Sequence, residues 1–128
     1  MADLRKILGV DDAADIRMLA KLALEKIGGF EVAVCGSGEE APAVARTFAP
    51  DLVLLDVMMP GWDGPRTLAE LHAIPELASL PCAFFTARQE AGEVERLQEL
   101  GCIGIITKPF DAMKLGTMVR ELWQAGRG

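Results

Sequence analysis

Five side chains in this sequence share one placement: each is hydrophilic and stands where an apolar run stops. Asp11 and Asp12 follow Lys6 to Val10, Asp56 follows Leu52 to Leu55, Thr86 follows Cys82 to Phe85, and Lys108 comes just after Ile103 to Ile106. If those runs are neighbouring strands, three carboxylates, a hydroxyl and an ammonium meet at one edge. Crowded carboxylates repel, and the simplest relief is a divalent cation with oxygen ligands, most naturally Mg²⁺, with Mn²⁺ or Ca²⁺ as substitutes. Mg²⁺ keeps several waters and also binds phosphate oxygens, so it would neutralise a phosphoryl group beside Asp56. A carboxylate can attack phosphorus to give an acyl phosphate. Thr86 is then suited to donate to one phosphoryl oxygen and Lys108 to pair with another. The set is chemically complete for phosphoryl transfer to Asp56.

The elements that must bring these residues together are legible as an alternation. Leu52 to Leu55 is an unbroken aliphatic run, the pattern of a strand buried on both faces, and Pro60, Gly61, Asp63 and Gly64 after it read as a turn. Lys6 to Val10 is a first strand. Phe30, Val32 and Val34 alternate with more polar neighbours, as in a strand near a sheet edge, and Cys82 to Phe85 and Ile103 to Ile106 supply two more. Between them lie helical stripes. The first carries Ile16, Leu19, Ala20, Ala23 and Ile27, with Asp15 as a candidate N-cap and Gly28 and Gly29 as its stop. Ser37 and Glu40 have capping-box spacing for the second, although Pro42 implies a late start or a distorted first turn. Pro65 suits the first turn of the third, which carries Leu68 and Leu71, and Pro75 to Pro81 reads as a connecting loop. Ala91, Val94, Leu97 and Leu100 stripe the fourth, with Gly92 inside it, and Asp111 can cap the fifth, which carries Leu115, Met118, Val119 and Leu122. Right-handed crossovers in such a chain place all strand ends on one edge of a parallel sheet.

Composition sets the outer limits. With 128 residues, 51% of them hydrophobic and 25% charged, the chain suits a single domain spanning 1–128, with no residues left for an output domain. A formal net charge of −6 disfavours direct binding to nucleic acid or to anionic membranes. No segment approaches the ~18 uninterrupted apolar residues of a membrane span, and the N-terminus reaches Asp11 too soon for a secretory signal, so a cytoplasmic location is expected. Cys35, Cys82 and Cys102 are odd in number and widely spaced, which fits free thiols in a reducing compartment. His72, the only histidine, has no partner motif and reads as structural. Trp62 and Trp123 read as packing residues, with Trp62 close enough to the turn after Asp56 to touch the site.

Taken together, Val10-Asp11-Asp12, Leu55-Asp56-Val57-Met58-Met59-Pro60-Gly61, Phe85-Thr86-Ala87 and Thr107-Lys108-Pro109-Phe110 resemble the receiver domains of two-component response regulators, in particular the stand-alone chemotaxis-regulator type. The resemblance covers essentially the whole chain. It implies an α/β, flavodoxin-like (βα)5 three-layer sandwich whose five-stranded parallel sheet runs in the order 2-1-3-4-5. It also implies that a sensor histidine kinase or phosphotransfer protein phosphorylates Asp56. On the same ground Asp12 and Asp56 would bind Mg²⁺ directly, Asp11 largely through a metal water, and the Met58 backbone carbonyl would complete the ligands. Thr86 would be the switch hydroxyl, Lys108 the phosphoryl contact, and the Lys108–Pro109 peptide bond would be cis. A downstream protein would be contacted through the face made by the fourth helix, fifth strand and fifth helix.

The departures from that family matter. Many members carry Tyr or Phe three residues before the lysine, whereas Ile105 stands here, so coupling from Thr86 cannot use an aromatic swing and is expected to be weaker or to follow the fourth helix. Met58 and Arg88 occupy positions that modulate dephosphorylation, and neither orients water as an acid or amide would, so slow self-dephosphorylation is expected. Two alternatives stay open on the residues alone. An aspartyl phosphatase usually has a second aspartate two residues after its nucleophile, where this chain has Met58, and therefore lacks its proton donor. A scaffold indifferent to phosphorylation would leave the acid cluster as a stability cost without benefit.

Overall fold

The computed structural model describes residues 3–87 and 92–127. Lys6–Val10 (β1), Glu31–Cys35 (β2), Leu52–Asp56 (β3), Cys82–Thr86 (β4) and Gly104–Thr107 (β5) form one sheet in the order β2-β1-β3-β4-β5. Every neighbouring pair is parallel, with Val10 opposite Leu55, Asp56 opposite Phe85, and Thr86 opposite Thr107. The expected flavodoxin-like topology is therefore present. Helices Ala14–Leu22 (α1), Ala41–Phe48 (α2), Gly64–His72 (α3) and Glu93–Glu99 (α4) make the crossovers, and Leu115–Arg127 (α5) follows β5.

The strand patterns follow from position in the sheet. All residues of β3 and β4 are buried, as central parallel strands covered on both faces require, while β2 at the edge exposes Glu31. Leu8, Val53, Leu55 and Phe84 pack on one face against α2, α3 and α4 through Ala45, Leu68, Leu71 and Leu97. Ile7, Leu52, Leu54 and Phe85 pack on the other against α1 and α5 through Ala20, Leu115, Val119 and Trp123.

Helix boundaries are where sequence and structure part. The N-cap of α1 is Ala13, not Asp15, whose carboxylate accepts from the Ile16 N–H at 2.9 Å without capping. After Leu22 the helix widens into a π turn over Ala23–Ile27. That turn shifts the helical phase, so Leu24 enters the core and Ile27, expected there, is exposed; Leu19 is exposed as well. Ser37 and Glu40 do bond to each other, with the Ser37 hydroxyl donating to Glu40 at 2.8 Å, but in a turn ahead of α2. The helix starts late, at Ala41, and Pro42 falls in the first turn, where its missing N–H is harmless. Asp63 caps α3 by accepting from the Arg66 N–H at 2.8 Å, and a single 3₁₀ turn, Pro75–Leu77, interrupts the expected loop. Gly92 is the N-cap of α4, with φ +88°, rather than an interior residue, and its N–H donates to the Glu95 carboxylate at 3.0 Å. Ala91 lies outside the described residues. β5 begins at Gly104 rather than Ile103, and Asp111 accepts from the Met113 N–H at 2.9 Å in the turn before α5 instead of capping it.

Candidate functional site

The carboxyl ends of β1, β3, β4 and β5 converge, β1 delivering two of the five groups and the others one each. β1 and β3 are adjacent, so Asp11 and Asp12, just beyond β1, come to lie beside Asp56 at the end of β3. One carboxylate oxygen from each of the three acids lies within 4.8 Å of the others. Asp11 and Asp56 are buried, at 5% and 7% exposure, while Asp12 is exposed. Thr86, at the end of β4, is buried with them. Lys108 follows β5 and donates from Nζ to Asp11 Oδ2 at 2.5 Å, with Asp56 Oδ1 3.3 Å away. The Lys108–Pro109 bond is cis, as expected.

Backbone contacts fix this arrangement. The Lys108 N–H donates to the Thr86 carbonyl at 2.8 Å, and the Val57 N–H to the Phe85 carbonyl at 3.0 Å, so the ladder continues past the strands into the site. Asp11 Oδ1 accepts from the Ala13 N–H at 2.9 Å, which with Lys108 leaves both of its oxygens engaged. Two contributors escaped the sequence reading. Arg17 donates to the Asp11 main-chain carbonyl at 2.7 Å, tying α1 to the end of β1. Gly64 lets α3 start hard against the acceptor loop: a Cβ there would stand 2.6 Å from the Asp56 carbonyl oxygen and 3.0 Å from the Val57 Cα. The sequence signal for Gly64 is Asp63-Gly64-Pro65, which by itself marks only a turn. Arg17 gives no local signal, because its partner is a main-chain atom.

Charge is out of balance here. Lys108 pairs with two of the three carboxylates, Asp11 and Asp56, and the surplus of negative charge falls on Asp56, whose pKa is pushed up to about 6 from an ordinary 3.8. Burial is the larger cause, followed by the neighbouring Asp11 charge, with Lys108 opposing both. For Lys108, burial disfavours the charge, but the hydrogen bond and charge of Asp11, joined by Asp56, outweigh it and its pKa rises. A ring of hard oxygen donors carrying surplus negative charge fits a divalent cation of the Mg²⁺ type.

A cleft of about 400 Å³ opens over Asp56, lined by Met58, Thr86, Ala87, Glu93, Arg96 and Lys108. The Met58 side chain is 69% exposed at its mouth. Trp62 lies instead beneath the Arg66 guanidinium, 5.1 Å from its ring centre, and is not among the cleft residues. His72 contacts the Leu80 carbonyl at 2.9 Å, a structural role. Cys35, Cys82 and Cys102 are free thiols. Arg88 lies outside the described residues.

With that geometry in place, residues 7–120 match the response regulator receiver domain. The chain belongs to the response regulator receiver family. Response regulator Rre1 of Synechocystis is 35% identical over 122 residues, covering 95% of this chain and 53% of that protein. Response regulator PleD of Caulobacter vibrioides is 39% identical over 119 residues, covering 91% of this chain and 26% of that protein. The receiver thus spans between a quarter and about half of these relatives. Among solved structures, Vibrio cholerae chemotaxis protein CheY4 superimposes with a TM-score of 0.85 at 25% identity, covering 93% of this chain and 98% of that one. The signal receiver domain of a modulated diguanylate cyclase from Desulfovibrio desulfuricans matches with a TM-score of 0.80 at 30% identity, covering 98% of both chains. Membership places this chain in two-component signalling, and no helix among the described residues is long and apolar enough to cross a membrane.

Proposed function

We propose that this receiver accepts a phosphoryl group on Asp56 from the phosphohistidine of a sensor histidine kinase or phosphotransfer protein. The observation that carries this reading is the position of Asp56: a buried carboxylate at the floor of an open cleft, between two further acids and a lysine. Mg²⁺, held by Asp12 and Asp56 with the Met58 carbonyl, would supply the charge neutralisation that phosphoryl transfer needs. Asp11, with both oxygens engaged by Lys108 and the Ala13 N–H, is suited to the indirect role, through a metal-bound water. Asp56 provides the attacking oxygen, Thr86 a hydroxyl for one phosphoryl oxygen, and Lys108 a cation for another.

The receiver is not a turnover enzyme on this reading; it catalyses its own phosphorylation and a slow reversal. Its signal passes to a protein target through the α4, β5 and α5 face, without direct contact to nucleic acid or insertion into a membrane. Ile105 packs against the core beneath α4, so that face responds through aliphatic packing rather than an aromatic rotamer. Slow reversal follows from Met58, whose exposed thioether cannot orient an attacking water. Met58→Asn is therefore expected to shorten the half-life of the phosphorylated form, measured by loss of the phosphoryl group from intact protein, and an unchanged half-life contradicts this assignment. The function itself is tested by Mg²⁺-dependent transfer from an acyl phosphate, expected in the wild type and abolished in Asp56→Asn.

A further inference from the structure

The cleft over Asp56 contains a charged pair that the account above does not use. Glu93 and Arg96, one helical turn apart on α4, both line it, and Arg96 Nη2 lies 3.2 Å from Glu93 Oε2. The two differ in freedom: the Arg96 side chain is 58% exposed and that of Glu93 24%. Lys108, by contrast, is 15% exposed and already committed to Asp11 and Asp56. Among the described residues Arg96 is thus the exposed cation of the cleft, and an ion pair of this kind is weak enough to be exchanged for a better acceptor.

A phosphodonor is such an acceptor. It arrives as a dianion at a protein of net charge −6 and at a site with three carboxylates and one lysine, so the overall field opposes its approach. A planar guanidinium at the mouth binds phosphoryl oxygens better than it binds one carboxylate in an i, i+3 pair. We propose that Arg96 is a second cation of the phosphoryl cleft, held by Glu93 until a phosphodonor draws it away, and that it captures the donor beside Asp56. The inference rests on Asp56 being the phosphoacceptor. With acetyl phosphate, an Asp56 oxygen forms the new bond to phosphorus as the bond from phosphorus to the acyl oxygen breaks, and acetate leaves with that electron pair. Arg96 neither gains nor loses a proton.

The test is the initial rate of phosphorylation of the full chain by acetyl phosphate with Mg²⁺, read by intact mass across donor concentrations. Arg96→Gln is expected to raise the half-saturating donor concentration about threefold to fivefold, with little change in the saturated rate. Arg96→Lys restores most of the loss because the charge returns. Glu93→Gln lowers half-saturation by releasing Arg96, and the double variant behaves as Arg96→Gln alone. High salt erases the difference between wild type and Arg96→Gln. The proposal is overturned if Arg96→Gln leaves half-saturation unchanged, or if Glu93→Gln and Arg96→Gln weaken the donor equally, which would mean the pair serves only to hold α4. A wild type that gains no phosphoryl group defeats the assignment of Asp56 and this inference with it.

Discussion

The two edges of the sheet treat charge in opposite ways. At the amino edge ionic side chains close off main-chain groups: Asp51 Oδ2 accepts from the N–H groups of Arg5 and Lys6, both at 3.0 Å, and Lys6 Nζ donates to the Phe48 carbonyl at the end of α2, also at 3.0 Å. Arg120 does the same for the end of α1, reaching the Gly28 carbonyl at 2.5 Å with its guanidinium 4.3 Å over the Phe30 ring. At the carboxyl edge three acids are pressed together over one lysine, and one of them is held well above its ordinary pKa. One edge is built for stability. The other stores electrostatic repulsion that a cation and a phosphoryl group can relieve, which is where a binding site is expected to break the rules the rest of the fold obeys.

Substitutions can break this contrast from either side. Gly64→Ala carries the largest expected cost, about 3 kcal/mol in urea unfolding, because the added methyl meets backbone rather than a yielding side chain. At the stable edge, Asp51→Ala strips the acceptor from two main-chain donors and is expected to lower stability by about 2 kcal/mol.

At the strained edge the sign reverses. Asp56→Asn is expected to stabilise the metal-free protein at neutral pH by about 1–2 kcal/mol, a value reduced from the full shift because the carboxylate faces an open cleft. The pH dependence follows from the same cause. The folded pKa of about 6 exceeds the ordinary 3.8, so between these values the native state holds the proton more tightly than the unfolded chain. Stability contributed by Asp56 is thus present below about 4 and lost as pH rises through 6. Urea titrations at pH 5 and pH 7 should show the gain from Asp56→Asn growing with pH. The smallest effect is that of the cation: Mg²⁺ several-fold above its Kd is expected to stabilise the wild type by about 1 kcal/mol, and Asp56→Asn by less, in thermal melts at neutral pH.

Much of this architecture is legible in the sequence. Strand runs ending in Asp11, Asp56, Thr86 and Lys108 carry the parallel sheet and the site together, because a central parallel strand must be apolar throughout and can change character only at its end, whereas the strand order 2-1-3-4-5 comes only from the family resemblance. Helix starts were less legible. Ser37 and Glu40 form half of the expected capping box, with the Glu40 N–H donating to the Ser37 hydroxyl, in a turn ahead of the helix, and the π turn at Ala23–Ile27 moves Leu24 into the core through a change of phase that no residue type announces. The contributions of Arg17 and Gly64 are hidden for a related reason: both act on main-chain atoms, six to eight residues back along the chain, which no residue type announces.

The contrast between the two edges has one most direct test. Incubate the intact protein with acetyl phosphate and Mg²⁺, weigh it, and repeat with Asp56→Asn and with Mg²⁺ removed by chelation. A persistent gain of one phosphoryl group is expected in the wild type with Mg²⁺ and none in either control. Equal gain in Asp56→Asn, or gain without a divalent cation, would contradict it.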